Sequence, residues 1–378
     1  MQIAFEESIP KGLEYFSSLA PTVSFRAGGI DNIDLTDVTH LAVRSTTQVN
    51  ASLLARAPHL QLVATATAGI DHFNIKDLTA NGIHYASAAG CNAVAVAEYV
   101  ISALLAAEQD LAMPWSDICV GVVGAGHVGS ALSARLTWLG INHKLYDPPL
   151  QRAGDQRQFC SFSEILTCDV ITLHVPFSRN GQDATEHLIN AKVLSQLSPQ
   201  QLLINASRGE VVHELALLDA CDEGRAPRLI LDVFQQEPNI NNELVDATWL
   251  ATPHIAGHSV EGKLRGTQQV YETFCRAVGG DASLSMSDFL APAPRYQASE
   301  NPLPFTTLKA FMHATYDIRQ DSSLFKASTI DSATFLALRK HYRTRWEYSS
   351  CKVELSHHAH TLSLLDAIQK NFGQQLSR

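Results

Sequence analysis

The sequence lacks the features of a membrane protein or a secreted protein. No apolar run among its 378 residues approaches the length needed to cross a bilayer. The first residues, MQIAFEESIP, have no basic stretch ahead of an apolar one, so we expect no signal peptide. The seven cysteines are scattered, odd in number and without a CxxC pair. This usage favours reduced thiols over a disulfide framework or a zinc site, and we expect a cytoplasmic protein that binds no metal.

Positive charge is also scarce. The chain has 28 Lys and Arg against 38 Asp and Glu, which gives a net charge of −10. This balance argues against a protein that binds nucleic acid. An acidic protein that binds an anionic substrate needs particular arginines at its site, because it has no broad basic surface. Hydrophobic residues are abundant at 46%, and at this length they predict two or three domains.

Short apolar runs alternate with helical stretches in two successive blocks, which predicts two α/β domains with parallel sheets. The first block holds QIAF, HLAVRS, LQLVATATAG and GIHYAS, and the second begins at ICVGVVG. Between them, CNAVAVAEYVISALLAAEQDLAM is apolar almost all round and predicts a buried helix. The four prolines of LAPAPRYQASENPLPF, from Leu290, predict a linker to a last segment of mixed helix and strand patterns.

A glycine-rich loop opens the second block. CVGVVGAGHVGSALSARLTWLG has Gly124, Gly126 and Gly129 in the GxGxxG spacing, after a β-rich run and before a helix. Such glycines permit a tight turn, close approach of the backbone to a pyrophosphate, and close packing of helix on strand. The next strand ends in Asp147, where a carboxylate can accept hydrogen bonds from ribose hydroxyls and repel a 2′-phosphate. The unit predicts NAD rather than NADP, although a lone glycine loop or a lone surface acid would be weak evidence.

Three later strand ends each offer a polar side chain. Arg208 follows LLINAS, Glu237 follows LILDVFQQ, and His254 follows LATP. The carboxyl ends of strands in such a sheet face the ligand crevice, so we expect these groups to converge. Oxidation of a secondary alcohol needs a base for the hydroxyl proton, and a carboxylate beside a histidine base can orient its ring. A substrate that carries a carboxylate also needs a cation to hold it. We assign these roles to His254, Glu237 and Arg208; each alone could be a surface or buried structural residue.

The glycine loop with Asp147, together with INASRG, LDVFQQEP and TPHIAG, resembles the D-isomer-specific 2-hydroxyacid dehydrogenases over roughly residues 1–285. The resemblance implies a flavodoxin-like substrate domain and a Rossmann domain, both doubly wound parallel sheets, with NAD as cofactor. It implies the same catalytic roles for Arg208, Glu237 and His254. The cofactor contacts that we expect are Gly124, Gly126, His127, Val128, Gly129, Asp147, Asp232 and Gly257.

The resemblance also divides the chain. The substrate-binding domain is expected at residues 1–92 and 258–285, and the NAD-binding domain at 93–257. Residues 286–378 are expected to form a small α+β domain for homodimerisation, which the simpler members lack. LAVRSTTQVN, TATAGIDH and this last segment resemble a branch that acts on a four-carbon 2-hydroxy acid with a 4-phosphate.

The substrate contacts implied for this branch fall on Ser45 and Thr67. Arg44 is a further candidate for the phosphate, although an arginine after a strand is often a surface charge. The branch has a substrate-contacting tyrosine where this chain has His258, a residue that is shorter and titrates near neutral pH. Arg343 and Arg345 in HYRTRWEYS could reach a partner's active site across a dimer, and a charged helix face explains them equally well.

Two histidine clusters are open to a metal-site interpretation. His254 and His258 have the spacing of zinc ligands on a helix, but Pro253 and Gly257 interrupt helical geometry. SHHAH, residues 356–360, lacks a cysteine or carboxylate at ligand spacing, so a polar loop is the favoured interpretation.

Two functional alternatives remain open from the sequence. One is a dehydrogenase for another D-2-hydroxy acid, such as 3-phosphoglycerate or hydroxypyruvate. The other is an NAD-sensing binding protein, which neither a basic face nor a partner-binding extension supports.

Overall fold

The structure, a computed structural model, describes residues 1–299, 303–327, 329–355 and 361–376, with side chains described through residue 370. The chain forms two compact units. One combines residues 1–92 with 259–292, and the other combines 93–258 with 293–378. The C-terminal segment therefore belongs to the same compact unit as the glycine loop.

The first unit is built on a parallel sheet. Its strands are β1 (Ile3–Glu6), β2 (Thr22–Phe25), β3 (His40–Val43), β4 (Leu62–Thr65) and β5 (His84–Ser87), in the order β2-β1-β3-β4-β5. Its helices are α1 (Gly12–Ser17), α2 (Ala51–Ala55) and α3 (Ile75–Ala80), with a short 3₁₀ turn at Ile30–Asn32. Asn50 and Asn74 start α2 and α3, because each side chain accepts a hydrogen bond from a first-turn backbone N–H.

The second unit begins with the predicted buried helix, α4 (Ala93–Asp110), which is buried along most of its length. Its strands are β6 (Cys119–Val123), β7 (Asn142–Tyr146), β8 (Val170–Leu173), β9 (Leu202–Asn205), β10 (Arg228–Leu231) and β11 (Leu250–Ala251). They form a parallel sheet in the order β11-β10-β9-β8-β6-β7.

Helices connect these strands: α5 (His127–Trp138), α6 (Pro148–Arg152), α7 (Phe162–Ile165), α8 (Ala191–Leu194), α9 (Glu214–Asp222) and α10 (Asn242–Ala247). A 3₁₀ turn lies at Gly209–Val211. The chain then returns to the first unit through α11 (Val260–Ala277), whose N-cap is Ser259, and a 3₁₀ turn at Met286–Asp288. The two parallel α/β sheets confirm the predicted fold class.

The described C-terminal residues form a small mixed sheet. Strand β12 (Arg295–Ala298) pairs in parallel with β13 (Lys352–Leu355), which pairs antiparallel with β14 (Thr361–Ser363). The helices of this segment are α12 (Phe305–Thr315), α13 (Ile318–Lys326), α14 (Ser332–Lys340) and α15 (Leu364–Leu376). The predicted linker from Leu290 is therefore wrong in part, because β12 gains its backbone partner from a strand far along the chain, which local proline content cannot reveal.

Within the described parts of the chain, no helix has the length and apolar character to cross a membrane. The SHHAH cluster at 356–360 lies outside the described residues.

Candidate active site

The glycine loop lies between β6 and α5, and its geometry fits a dinucleotide. Gly124 has a φ of 90°, and a Cβ there would lie 2.6 Å from the carbonyl oxygen of His174. A Cβ on Gly129 would lie 2.1 Å from the oxygen of Gly124, so the helix can pack this closely only without a side chain. At Gly126, by contrast, a Cβ would meet no atom of the described chain within 4 Å. The loop therefore leaves space at the position where a pyrophosphate would approach.

The start of α5 is also open to an anion. Gly126 is the N-cap and has no side chain to satisfy the first-turn N–H groups, and His127 is exposed beside it. Val128 follows, half-buried. Behind the loop, the buried Nδ1 of His174 has no hydrogen-bond partner within the described structure. These free polar groups suit a polar ligand at this edge of the sheet.

Asp147 lies at the end of β7, as predicted, and touches the glycine loop. One carboxylate oxygen accepts a hydrogen bond from the backbone N–H of Ala125 at 2.8 Å. The other accepts from the N–H of Leu150 at 3.0 Å and caps α6. The side chain thus fixes the loop next to the expected ribose position, and each carboxylate oxygen keeps a further acceptor site for a hydroxyl.

His254 and Glu237 are brought together. Nδ1 of His254 lies 2.6 Å from Oε2 of Glu237, with the two side chains 32% and 18% exposed. The other carboxylate oxygen of Glu237 accepts a hydrogen bond from the backbone N–H of Phe234 at 3.0 Å. Burial raises the pKa of Glu237, but the adjacent His254 and the hydrogen bonds outweigh it, so the pKa lies below its ordinary value. Glu237 is therefore a carboxylate at neutral pH and directs Nε2 of His254 away from itself.

Asp232 shapes the loop that carries His254. Its side chain is 1% exposed, and it accepts hydrogen bonds from the backbone N–H groups of Ile255 at 2.7 Å and Ala256 at 2.9 Å. The hydroxyl of Thr252 donates a third bond at 2.7 Å, and that hydroxyl also bonds with Tyr99. Burial raises the pKa of Asp232 despite these bonds. From the sequence we predicted Asp232 only as a cofactor contact, and not these hydrogen bonds to the loop of His254.

Arg208 follows β9 and starts the 3₁₀ turn at Gly209–Val211. Its guanidinium donates to the backbone oxygen of Ser207 at 2.7 Å, and the side chain of Asn205 donates to the Arg208 carbonyl at 2.8 Å. A Cβ on Gly209 would lie 2.0 Å from the carbonyl carbon of Phe234. The turn that carries Arg208 therefore lies backbone to backbone against the segment that leads to Glu237.

The C-terminal segment supports the same loop. Arg345 is 2% exposed and donates to the backbone oxygens of Ala256 at 3.0 Å and Ala95 at 2.6 Å. Its guanidinium lies 3.6 Å from the ring centroid of Tyr316. Both predictions for Arg345 are wrong: residues 342–347 are not helical, and a buried guanidinium that bonds two carbonyls of its own chain is not available to a partner.

Tyr342 and Asp321 hold the side chains of His258 and Arg343. The ring of His258 meets Tyr342 edge to face, with centroids 5.8 Å apart, and the Tyr342 hydroxyl donates to Asp321 at 2.7 Å. Nε of Arg343 donates to the same Asp321 at 2.8 Å. Pro253 to His258 form a loop and not a helix. Gly257 lies in this loop, half-buried.

The first unit places the predicted substrate residues on two loops at the carboxyl edge of its sheet. Ser45 is exposed after β3, and Thr67, after β4, bonds with Thr65 at 2.8 Å and donates to the Gly69 carbonyl at 3.1 Å. Arg44 donates through its guanidinium to the carbonyl of Ser8 at 3.1 Å.

One buried residue that orders the first of these loops was not predicted from the sequence. Glu6, at the end of β1, is fully buried and accepts hydrogen bonds from the hydroxyls of Ser8, Thr46 and Thr47. It also accepts from the backbone N–H of Arg44 at 3.1 Å. An acidic residue directly after the apolar run QIAF was the available signal, because a charge at that position needs partners.

Comparisons with known proteins define the class. A sequence model described as the NAD-binding domain of D-isomer-specific 2-hydroxyacid dehydrogenases matches residues 105–256. A second model, a domain of unknown function, matches residues 292–368. A solved NADPH-dependent glyoxylate/hydroxypyruvate reductase from Sinorhizobium meliloti is 26% identical, with a TM-score of 0.63 over 76% of this chain and 98% of its own. A D-lactate dehydrogenase from Aquifex aeolicus shares the fold at a TM-score of 0.59, over 74% of this chain and 96% of its own, with 23% identity. The fold and the matching NAD-binding domain are those of an NAD-dependent 2-hydroxyacid dehydrogenase.

Two relatives that match nearly the whole of this chain define the family. The erythronate-4-phosphate dehydrogenase of Pseudoalteromonas atlantica is 43% identical over 95% of this chain and 96% of its own. That of Psychromonas ingrahamii is 39% identical over 100% of this chain and 98% of its own. The chain belongs to the erythronate-4-phosphate dehydrogenase family.

Proposed function

We propose that the protein oxidises 4-phospho-D-erythronate to (R)-3-hydroxy-2-oxo-4-phosphooxybutanoate, with NAD as cofactor, in the synthesis of pyridoxal 5′-phosphate. The observation that carries the proposal is the 2.6 Å contact between His254 and Glu237, in a chain similar over its full length to erythronate-4-phosphate dehydrogenases. We further propose a cytoplasmic homodimer joined through the C-terminal segment.

In this proposal His254 is the acid/base. When bound, the nicotinamide supplies the hydride acceptor. Nε2 of His254 takes the proton from the 2-hydroxyl as the carbonyl forms, and Glu237 stabilises the imidazolium by its charge and its short hydrogen bond. Arg208 holds the substrate carboxylate through paired hydrogen bonds.

The remaining contacts follow the resemblance. Ser45, Thr67, Arg44 and His258 are assigned to the substrate. Gly124, Gly126, His127, Val128, Gly129, Asp147, Asp232 and Gly257 are assigned to the cofactor. Asp147 supports NAD over NADP because a carboxylate at that position repels a 2′-phosphate.

Substrate comparison tests the proposal. NADH formation is measured with 4-phospho-D-erythronate, D-3-phosphoglycerate and D-lactate, and we expect the first to have the highest kcat/KM. The variant His254→Asn should lose activity, whereas His59→Gln, an exposed histidine, should keep it. A preference for D-3-phosphoglycerate would favour a different 2-hydroxyacid dehydrogenase, and tight NAD binding with no turnover of any acid would favour an NAD sensor.

A further inference from the structure

Helix α11 lies against the loops that carry the predicted substrate residues of the first unit. A Cβ on Gly266 would lie 2.4 Å from the carbonyl oxygen of Ala66, directly before Thr67. The neighbouring Thr267 donates its hydroxyl to the carbonyl of Pro10 at 2.9 Å. One face of α11 therefore contacts the chain that follows β1 and β4, at the carboxyl edge of the sheet.

Lys263 is on that face of α11. It precedes Gly266 and Thr267 by three and four residues, the spacing that places side chains on one side of a helix. The side chain is half-buried, and its ammonium makes no hydrogen bond or ion pair within the described residues. Burial, and then the positive charge of Arg44, lower the pKa of Lys263 to about 8. A half-buried cation beside a second cation is stabilised by an anion between them.

The buried carboxylate at this edge does not supply that anion. Glu6 is fully buried and bonds to three hydroxyls and to the backbone N–H of Arg44. Its role is to order the loop from Arg44 to Thr47, which leaves the side chain of Ser45 exposed. The edge thus offers two cations and a hydroxyl on a fixed loop.

We propose that Lys263 and Arg44 form a phosphate subsite, in which the ammonium and the guanidinium bind the phosphate group of the substrate. A phosphate monoester carries close to two negative charges at neutral pH, so it matches two cations, and its oxygens accept charge-assisted hydrogen bonds from both. The inference rests on the proposed function for the identity of the phosphorylated substrate, and it assigns to Lys263 a role that the sequence analysis did not.

The test compares a substrate with its unphosphorylated counterpart. In Lys263→Met, the KM for 4-phospho-D-erythronate should rise at least about 10-fold, because a charge-assisted hydrogen bond is lost. The inhibition constant of D-erythronate, measured by competition, should change less than about twofold, because the phosphate contact is absent from it. Lys263→Arg should restore most of the affinity, and Lys76→Met, an exposed lysine of the same unit, is the matched control.

A second measurement does not depend on turnover. Inorganic phosphate should raise the Tm of the wild type and of Lys76→Met, and raise that of Lys263→Met much less. If the wild type fails to oxidise 4-phospho-D-erythronate, the proposed function fails while this measurement still decides the subsite. An unchanged KM in Lys263→Met, an equal rise of KM and of the D-erythronate inhibition constant, or an undiminished Tm response to phosphate would overturn the inference.

Discussion

His254 has a φ of 55°, a left-handed backbone conformation that few residues other than glycine adopt. This conformation costs about 1–3 kcal/mol, and such strain persists only where the surroundings fix it. The backbone N–H of His254 donates to the carbonyl of Asp232 at 2.7 Å, and the Asp232 carboxylate holds the next two N–H groups. Asp232 therefore sets the direction in which the imidazole leaves the loop, and Glu237 sets its rotation.

Replacing Glu237 by Gln tests the orienting role. The amide cannot stabilise an imidazolium by charge, so kcat should fall about 10²–10⁴-fold while the fold is retained. Steady-state NADH formation measures this, with Glu186→Gln as the control because that glutamate pairs at the surface with Arg179. A kcat within a few-fold of the wild type would remove Glu237 from the mechanism.

The lowered pKa of Glu237 also predicts a pH dependence of stability. Since its folded pKa lies below the unfolded value, its contribution is fully present above the unfolded pKa and is lost as the pH falls through the folded one. The difference in unfolding free energy between the wild type and Glu237→Gln should therefore shrink from about pH 6 to about pH 3. Urea titrations across that range provide the measurement, and a constant difference would contradict the assignment.

His258 predicts a second pH effect, on substrate affinity. In the proposed site His258 contacts the phosphorylated acid, and a protonated imidazole would attract that acid, so we expect the KM to be lower at about pH 6 than at about pH 8. His258→Tyr should retain turnover and weaken this dependence, leaving the part that Lys263 contributes, with the new ring still next to Tyr342. Measuring KM for the phosphorylated acid across this interval in both proteins decides the matter; parallel pH profiles would exclude a role for His258.

At the scale of elements, a buried polar cluster joins α4, α5 and the C-terminal segment. Glu98 on α4 pairs with Arg135 on α5 at 2.9 Å and accepts from the backbone N–H of Tyr348 at 3.1 Å. Burial raises the pKa of Glu98 to about 7, although the charge of Arg135 opposes the shift. Helix α5 begins at the glycine loop, and Arg345 of the same C-terminal segment bonds to the loop that carries His254. The cluster therefore links the glycine loop to the loop of His254.

Removing Arg345 should therefore affect both stability and catalysis. Arg345→Met removes the guanidinium hydrogen bonds to two buried carbonyls and the stacking on Tyr316, which should cost about 2–5 kcal/mol. Urea unfolding and kcat measure the two effects. Arg295→Met, in the same C-terminal segment, is the matched control, because that side chain is 66% exposed in a surface ion pair and its loss should cost far less. Equal effects of the two substitutions would show that Arg345 does not brace the loop.

At the scale of the whole molecule, the sequence predicted most of the second unit. The GxGxxG spacing and the strand ends before Arg208, Glu237 and His254 are local signals, and parallel strands place their carboxyl ends at one edge of the sheet by a general rule. Arg345 could not be assigned this way, because its partners Ala256 and Ala95 are distant in sequence and offer only backbone oxygens. Strand β12 was missed for the same reason.

The proposed dimer is a prediction at this scale. Leu324 on α13 and Leu336 on α14 are 63% and 48% exposed, and burying them against a second copy would remove apolar surface from water. Light scattering should give twice the chain mass of 41.2 kDa for the wild type. Glu at both positions should lower the mass toward that of one chain, whereas Leu215→Glu, 68% exposed on α9, should not. A monomeric wild type would contradict the proposal.

The bond from Arg345 to the carbonyl of Ala256 has a consequence for the order of events during synthesis. The ribosome releases the loop of His254 well before it adds Arg345, at roughly 5–20 residues per second. During that interval the two parallel sheets can form while the loop still lacks its last donor. The loop of the proposed acid/base histidine therefore acquires its final support only when the C-terminal segment has been made.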